Sequence, residues 1–149
     1  MDMADEPINL QGYFPFFLGT ISNRWTTTSS RLYLEKFGIG IGEWRVLASI
    51  YSLGQVSSQE VVSLISMDAS AVSRAVTTLA KKGFVKPVQG KFAGRTKPYE
   101  LTEKGRELYV GIQQVALRRE DLLLSALSDD ERRTLIELMR KVMKGLGDI

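Results

Sequence analysis

Six side chains between Asp68 and Lys82 can hydrogen-bond a polyanion: Ser70, Ser73, Arg74, Thr77, Thr78 and Lys81. At about 100° per residue they fall on one side of a helix, while Val72, Ala75, Val76 and Leu79 fall on the other. The polar side carries no Glu, whereas an ordinary solvated helix face mixes both signs of charge. Short hydroxyls let a helix approach a groove closely and still bond bases or phosphates, and an arginine can grip a guanine edge with two bonds. Taken alone, the stretch fits an amphipathic surface helix equally well. Its neighbours decide between the two.

The loop GKFAGRT follows, and with the next residue it brings Lys91, Arg95 and Lys97 and no acid. From Ser66 to Arg106 nine cations face three acids, a local charge of +6 in a chain whose total is +3, so the remainder carries −3. A basic patch confined to one region is the electrostatic footprint of a polyanion binder.

Other chemistries lack their usual residues. The chain has no Cys and no His, which removes thiolate nucleophiles, disulfides, the usual general base and the commonest zinc ligands. No pair of acids stands at a useful spacing for general acid–base work. The expectation is a protein that is not an enzyme and needs neither cofactor nor metal. With 149 residues, 44% of them hydrophobic and 25% charged, it has enough apolar mass for one globular domain or one domain with an oligomerisation element. No apolar run is long enough to span a bilayer, and the acidic start MDMADEP is unlike a signal peptide, so the expected location is the cytoplasm with no membrane partner.

The elements that must hold the polar face can be read on either side of it. Asp68 is placed to cap its helix and Gly83 to end it. Upstream, Ser57 and Glu60 have the spacing of a capping box, starting a short helix with Val61, Leu64 and Ile65 on its apolar side. Two short helices joined through Ser66–Asp68, the second with the basic polar face, make a helix-turn-helix. After Gly83, FVKPVQ and KPYELT read as two strands of an exposed ribbon, because Pro87 and Pro98 lack ladder donors. The helix-turn-helix and its basic hairpin together form a winged helix.

The flanks are helical. A long helix is expected over 13–36, with Pro15 in its first turn and the glycines of GIGIG ending it, and another over GEWRVLASIYSL. Thr102 caps a helix running towards Leu127, and Ser128 with Glu131 opens a last one striped by Leu135, Leu138, Met139, Val142, Met143 and Leu146. These stripes need a partner, and a symmetric dimer in which the terminal helices of two subunits interleave would supply it.

The sequence resembles the MarR family of bacterial transcriptional regulators. The resemblance rests on EWRVLASI, on DASAVSRAVTTLAKKGFVKP and on YELTEKGREL, and extends over nearly the whole chain. It implies a mainly α, α+β fold: a winged helix-turn-helix over 37–101, with helices in 1–36 and 102–149 forming a homodimerisation region. It further implies a dimeric repressor on a palindromic operator in double-stranded DNA, released by a small-molecule effector. Ser70, Ser73 and Arg74 match the family's DNA-contacting positions, and Arg95 its wing arginine. Two positions depart from the pattern: Ala93 stands where the wing usually has Asp, and Gly40 where a Thr cap is common.

The first two helices also carry an aromatic set, Tyr13, Phe16, Phe17, Trp25 and Trp44, with two arginines, Arg24 and Arg45. Aromatic walls with convergent guanidinium groups suit a flat organic acid or its thioester. The plainer reading is that the tryptophans are core and Arg24 pairs with an acid. The alternative for the whole chain is a winged helix used for protein–protein contact without DNA, against which the acid-free face and the +6 segment argue.

Overall fold

The computed structural model describes residues 6–90 and 97–148. Lys91, Ala93 and Arg95, three positions singled out in the wing, lie outside the described residues. Eight principal elements follow in order: α1 (Phe14–Phe37), α2 (Ile41–Leu53), α3 (Ser58–Ile65), α4 (Ala69–Lys81), β1 (Val85–Pro87), β2 (Tyr99–Leu101), α5 (Glu103–Leu123) and α6 (Asp129–Gly145). Among the described residues no helix is long and apolar enough to cross a membrane. The chain divides into two compact units, Met1–Ile112 and Gln113–Ile149.

In the first unit α1 starts with Pro15 in its opening turn and stops at Gly38, whose left-handed φ of 71° turns the chain while its N–H reaches Leu34 O. The core gathers Tyr33 of α1, Val46, Leu47 and Ile50 of α2, Val61 of α3, Val72 and Leu79 of α4 and Ile112 of α5, all essentially without solvent contact. Burying each such side chain contributes about 1.5–3 kcal/mol, so α4 is held from behind by the face opposite to its hydroxyls and cations. Gly40 caps α2 without a side chain: Glu43 Oε2 accepts its N–H at 3.0 Å. A Cβ there would lie 3.0 Å from Glu43 Oε2 and 3.2 Å from Ser30 Oγ, close contacts with the ends of two side chains.

The turn of the helix-turn-helix places Ser66 at φ 51°, ψ 34°, the left-handed region that costs an L-residue roughly 1–2 kcal/mol. Ser66→Gly is therefore expected to leave stability unchanged or raise it by up to about 1 kcal/mol, and the β-branched Ser66→Val to lower it by about 1–3 kcal/mol. Urea midpoints of the two variants check this, and a Val variant as stable as the parent would contradict it.

β1 and β2 pair antiparallel in the register Val85↔Leu101, Lys86↔Glu100 and Pro87↔Tyr99. Each is three residues long, shorter than the sequence pattern proposed: Val88 N–H still donates to Pro98 O at 2.9 Å, but Pro98 has no N–H to return the bond. Val56, before α3, bridges Tyr99 from the other side through two backbone bonds of 3.1 and 2.8 Å. At the exit of β2, Thr102 Oγ1 accepts from Gly105 N–H at 3.0 Å and donates to Gly83 O at 2.6 Å, tying the start of α5 to the end of α4.

In the second unit, Ser128 and Glu131 form the expected capping box, with bonds of 2.8 and 3.3 Å, and open α6. Arg132 bonds Asp121 at 3.1 Å across the turn between α5 and α6. No residue of α6 is buried within the chain.

Candidate nucleic-acid interface

α4 presents the polar face that its periodicity predicted. Ser70, Ser73, Arg74, Thr77 and Lys81 are exposed and Thr78 half-exposed, while Val72, Ala75, Val76 and Leu79 are buried. Asp68 caps the helix through Ala71 N–H at 3.1 Å and also accepts a short hydrogen bond from the Ser70 hydroxyl. Ser70 Oγ in turn accepts from Arg74 Nη1 at 3.2 Å. The carboxylate thus fixes the hydroxyl, and the hydroxyl lays the guanidinium along the helix towards its start. The Ser70–Arg74 spacing of four was the available signal for this relay. Thr77 differs from the other hydroxyls, since its Oγ1 donates back to Ser73 O at 2.9 Å.

The Ser70 hydroxyl, then the Ala71 N–H, hold the Asp68 carboxyl below its ordinary value of 3.8. A depressed carboxylate contributes its stabilisation at all pH values above its unfolded pKa and loses it only as pH falls through the lower folded value. The cap is therefore fully ionised at neutral pH. Glu60, lowered from 4.5 by Ser57, behaves alike at the start of α3.

The cations divide by what they face. Lys82 Nζ donates to Gly38 O at the end of α1, at 2.5 Å. Lys104 Nζ donates to Lys82 O at 2.9 Å and lies 4.9 Å from the centre of the Phe84 ring. Lys86 pairs with Glu100 at 3.6 Å, and Gln55 Nε2 donates to the same carboxylate at 3.0 Å. Among the described cations of the basic segment, Lys82, Lys86 and Lys104 are thus turned towards the chain's own carbonyls and carboxylate, and Arg74 towards Ser70, a distinction that charge counting missed. Arg74 and Lys81 on α4 and Lys97 at the foot of the wing are exposed.

The aromatic set does not gather at one place in the first unit. Tyr13 stands just before the first residue of α1, without a side-chain cap bond, and Trp25 lies twelve residues on, about 18 Å along the axis. Tyr13 and Phe17 are exposed, as is Arg24, whereas Trp25, Trp44 and Arg45 are half-buried. Arg45 Nη2 reaches Thr26 Oγ1 at 3.4 Å, joining α2 to α1. The aromatic neighbours of Trp44 are Tyr33 and Tyr109, the second of which sequence reasoning had not included.

Known proteins share this arrangement. The MarR family profile matches residues 39–89. A MarR/EmrR family transcriptional regulator from Acinetobacter sp. ADP1 superposes with a TM-score of 0.87 at 30% identity, over 95% of this chain and 100% of that one. An HTH-type transcriptional regulator of Bacillus subtilis (strain 168) is 28% identical over 111 residues, 74% of this chain and 80% of its own. A MarR family regulator from Listeria monocytogenes, solved in complex with a 26mer DNA, shares the fold with a TM-score of 0.84 at 22% identity, over 91% and 90% of the two chains. With α3 and α4 as its helix-turn-helix and β1–β2 as its wing, this chain belongs to the MarR family, a transcriptional regulator with a DNA-binding winged helix and not an enzyme.

Proposed function

We propose that the protein is a cytoplasmic, homodimeric repressor that binds a palindromic operator and is released from it by a small flat organic acid or its thioester. The observation that carries the DNA-binding half is the acid-free outer face of α4, on which Ser70, Ser73, Arg74, Thr77, Thr78 and Lys81 would meet a major groove. Lys97, with Lys91 and Arg95, would carry the wing's contact with the adjacent minor groove. The terminal regions, 1–36 and 102–149, would make the dimer. Supporting this, α6 leaves Leu138 52% and Met143 63% exposed, and the start of α1 leaves Phe14, Phe17, Leu18 and Ile21 in solvent. Apolar area of this kind on a soluble chain marks an interface, and a second copy covers both ends of the chain at once by two-fold symmetry.

Capture of genomic fragments by the purified protein, followed by footprinting, is the test. A protected palindrome with half-sites about 34 Å apart is expected, together with a dimer in sedimentation. Removing residues 128–149 should yield aggregate or unfolded chain; a well-behaved monomer protecting the whole palindrome would contradict the dimer. For the effector, Arg45, which follows Trp44 and bonds Thr26, the residue after Trp25, supports a carboxylate that a guanidinium can grip. Benzoates and cinnamates are expected to displace the operator, and to do so less well from Arg24→Ala and Arg45→Ala proteins. Failure of every aromatic acid would point to a neutral or cationic effector.

A further inference from the structure

Five rings run in contact through the first unit. Phe37 meets Tyr33 edge-on with centroids 6.5 Å apart, and Tyr33 meets Trp44 edge-on at 6.1 Å. Trp44 stacks on Tyr109 at 5.4 Å with 25° between planes, and Tyr109 stacks on Tyr51 at 3.7 Å with 11° between planes. The row leads from Tyr33, 1% exposed, to Tyr51, 41% exposed. Aromatic pairs in proteins ordinarily prefer offset or edge-on contact with centroids about 4.5–7 Å apart. The Tyr51–Tyr109 pair is closer and nearly parallel, so the carbons of each phenol face those of the other.

The geometry points to Tyr51 and Tyr109 as an oxidative cross-linking site, joined as a dityrosine by one-electron oxidation with peroxide as terminal oxidant. Phenol and indole are the side chains of this protein that most readily give up single electrons, and with no Cys in the sequence no thiolate intercepts the oxidising equivalent. An electron lost from Trp44 or Tyr33 can be refilled along the row, which moves the vacancy outward to the stacked phenols. Burial, and after it the neighbouring Tyr51, raise the Tyr109 pKa, so the Tyr109 ring meets its neighbour as a neutral phenol at physiological pH.

Each phenol gives up one electron and its hydroxyl proton, leaving two phenoxyl radicals in contact. One carbon–carbon bond forms between positions ortho to the two oxygens. The hydrogens on those carbons then move to the oxygens as the rings regain aromaticity. One molecule of peroxide accepts the two electrons and two protons and leaves as two waters. Because Tyr51 is on α2 and Tyr109 on α5, the bond closes a loop of 109 minus 51, or 58, residues that contains α3, α4 and both strands. Closing so long a loop restricts the unfolded chain, so the helix-turn-helix and wing would be stapled into the folded unit.

The experiment treats the dilute full-length protein with peroxide and a catalytic peroxidase, then separates it on a denaturing gel. Dityrosine fluorescence is expected in the single-chain band. Its mass should be lower by two hydrogens, a cross-linked peptide should contain Tyr51 and Tyr109, and the melting midpoint should rise by roughly 5 °C or more. Tyr51→Phe and Tyr109→Phe each keep a ring in the stack and should each reduce the signal to background, whereas Tyr13→Phe should leave it intact. Fluorescence confined to covalent dimers, or a single-chain link that persists in either stack variant, would overturn the assignment.

Discussion

Arg74→Ala is expected to lower specific operator affinity by at least about 30-fold while leaving the fold intact. A bidentate contact with a guanine edge is worth about 1–3 kcal/mol of discrimination in each half-site, so a dimer loses it twice. On the protein side little is lost, because the guanidinium is exposed and its contact within the chain is the 3.2 Å bond to Ser70 Oγ. Fluorescence anisotropy against the captured operator and an unrelated duplex separates the two effects. Specific binding should collapse towards the unrelated level while circular dichroism and the melting midpoint stay unchanged. Undiminished binding would mean that α4 does not read the operator.

Gly105→Ala should have the opposite profile, losing the fold before any question of DNA arises. An alanine inside a helix ordinarily gains about 1 kcal/mol over glycine. Here a Cβ would stand 2.0 Å from the carbonyl oxygen of Phe84 and 3.2 Å from Leu101 Cδ2. The first contact is with backbone, so no side-chain rotation relieves it. That same oxygen accepts the Thr102 N–H at 3.0 Å, so moving it breaks the junction between β2 and α5. Overpacking that forces the backbone to shift costs about 3 kcal/mol or more, a large part of the roughly 5–15 kcal/mol that holds a domain together. Urea unfolding measures the loss, and a parental midpoint would show that the junction has slack.

These two residues also mark what could be read from the chain and what could not. Much that short spacing fixes was legible: the two faces of α4, the Asp68 cap and the Ser57–Glu60 and Ser128–Glu131 capping boxes are local patterns of three or four residues. Gly105 was legible only as part of a family motif, because its reason is a carbonyl twenty-one positions earlier. Val56 gives no strand signal, being one branched residue between Gln55 and Ser57, and its pairing depends on where Tyr99 arrives. The wing strands are shorter than their propensity suggests because Pro98 has no N–H to return the bond that Val88 gives it. For the aromatic set, helical rise separates Tyr13 from Trp25, while folding brings Tyr109 against Trp44 and Tyr51 from distant sequence. Net charge was legible, but the direction in which Lys82 and Lys104 point was not, since each seeks a carbonyl exposed by the end of a helix.

The bond from Arg74 to Ser70, and from Ser70 to Asp68, bears on how such a regulator can acquire a new target. If each position on α4 were an independent letter, operator preference could drift by one substitution at a time. Here a change at Ser70 also unfastens Arg74 and removes the strongest hold on Asp68, so three positions change meaning together. Contacting residues of this kind show strongly non-additive effects. With α4 reading the operator as proposed, a path to a different operator would run through compensated pairs or triples, and single replacements along it would meet a valley of lost affinity before they reach a new optimum.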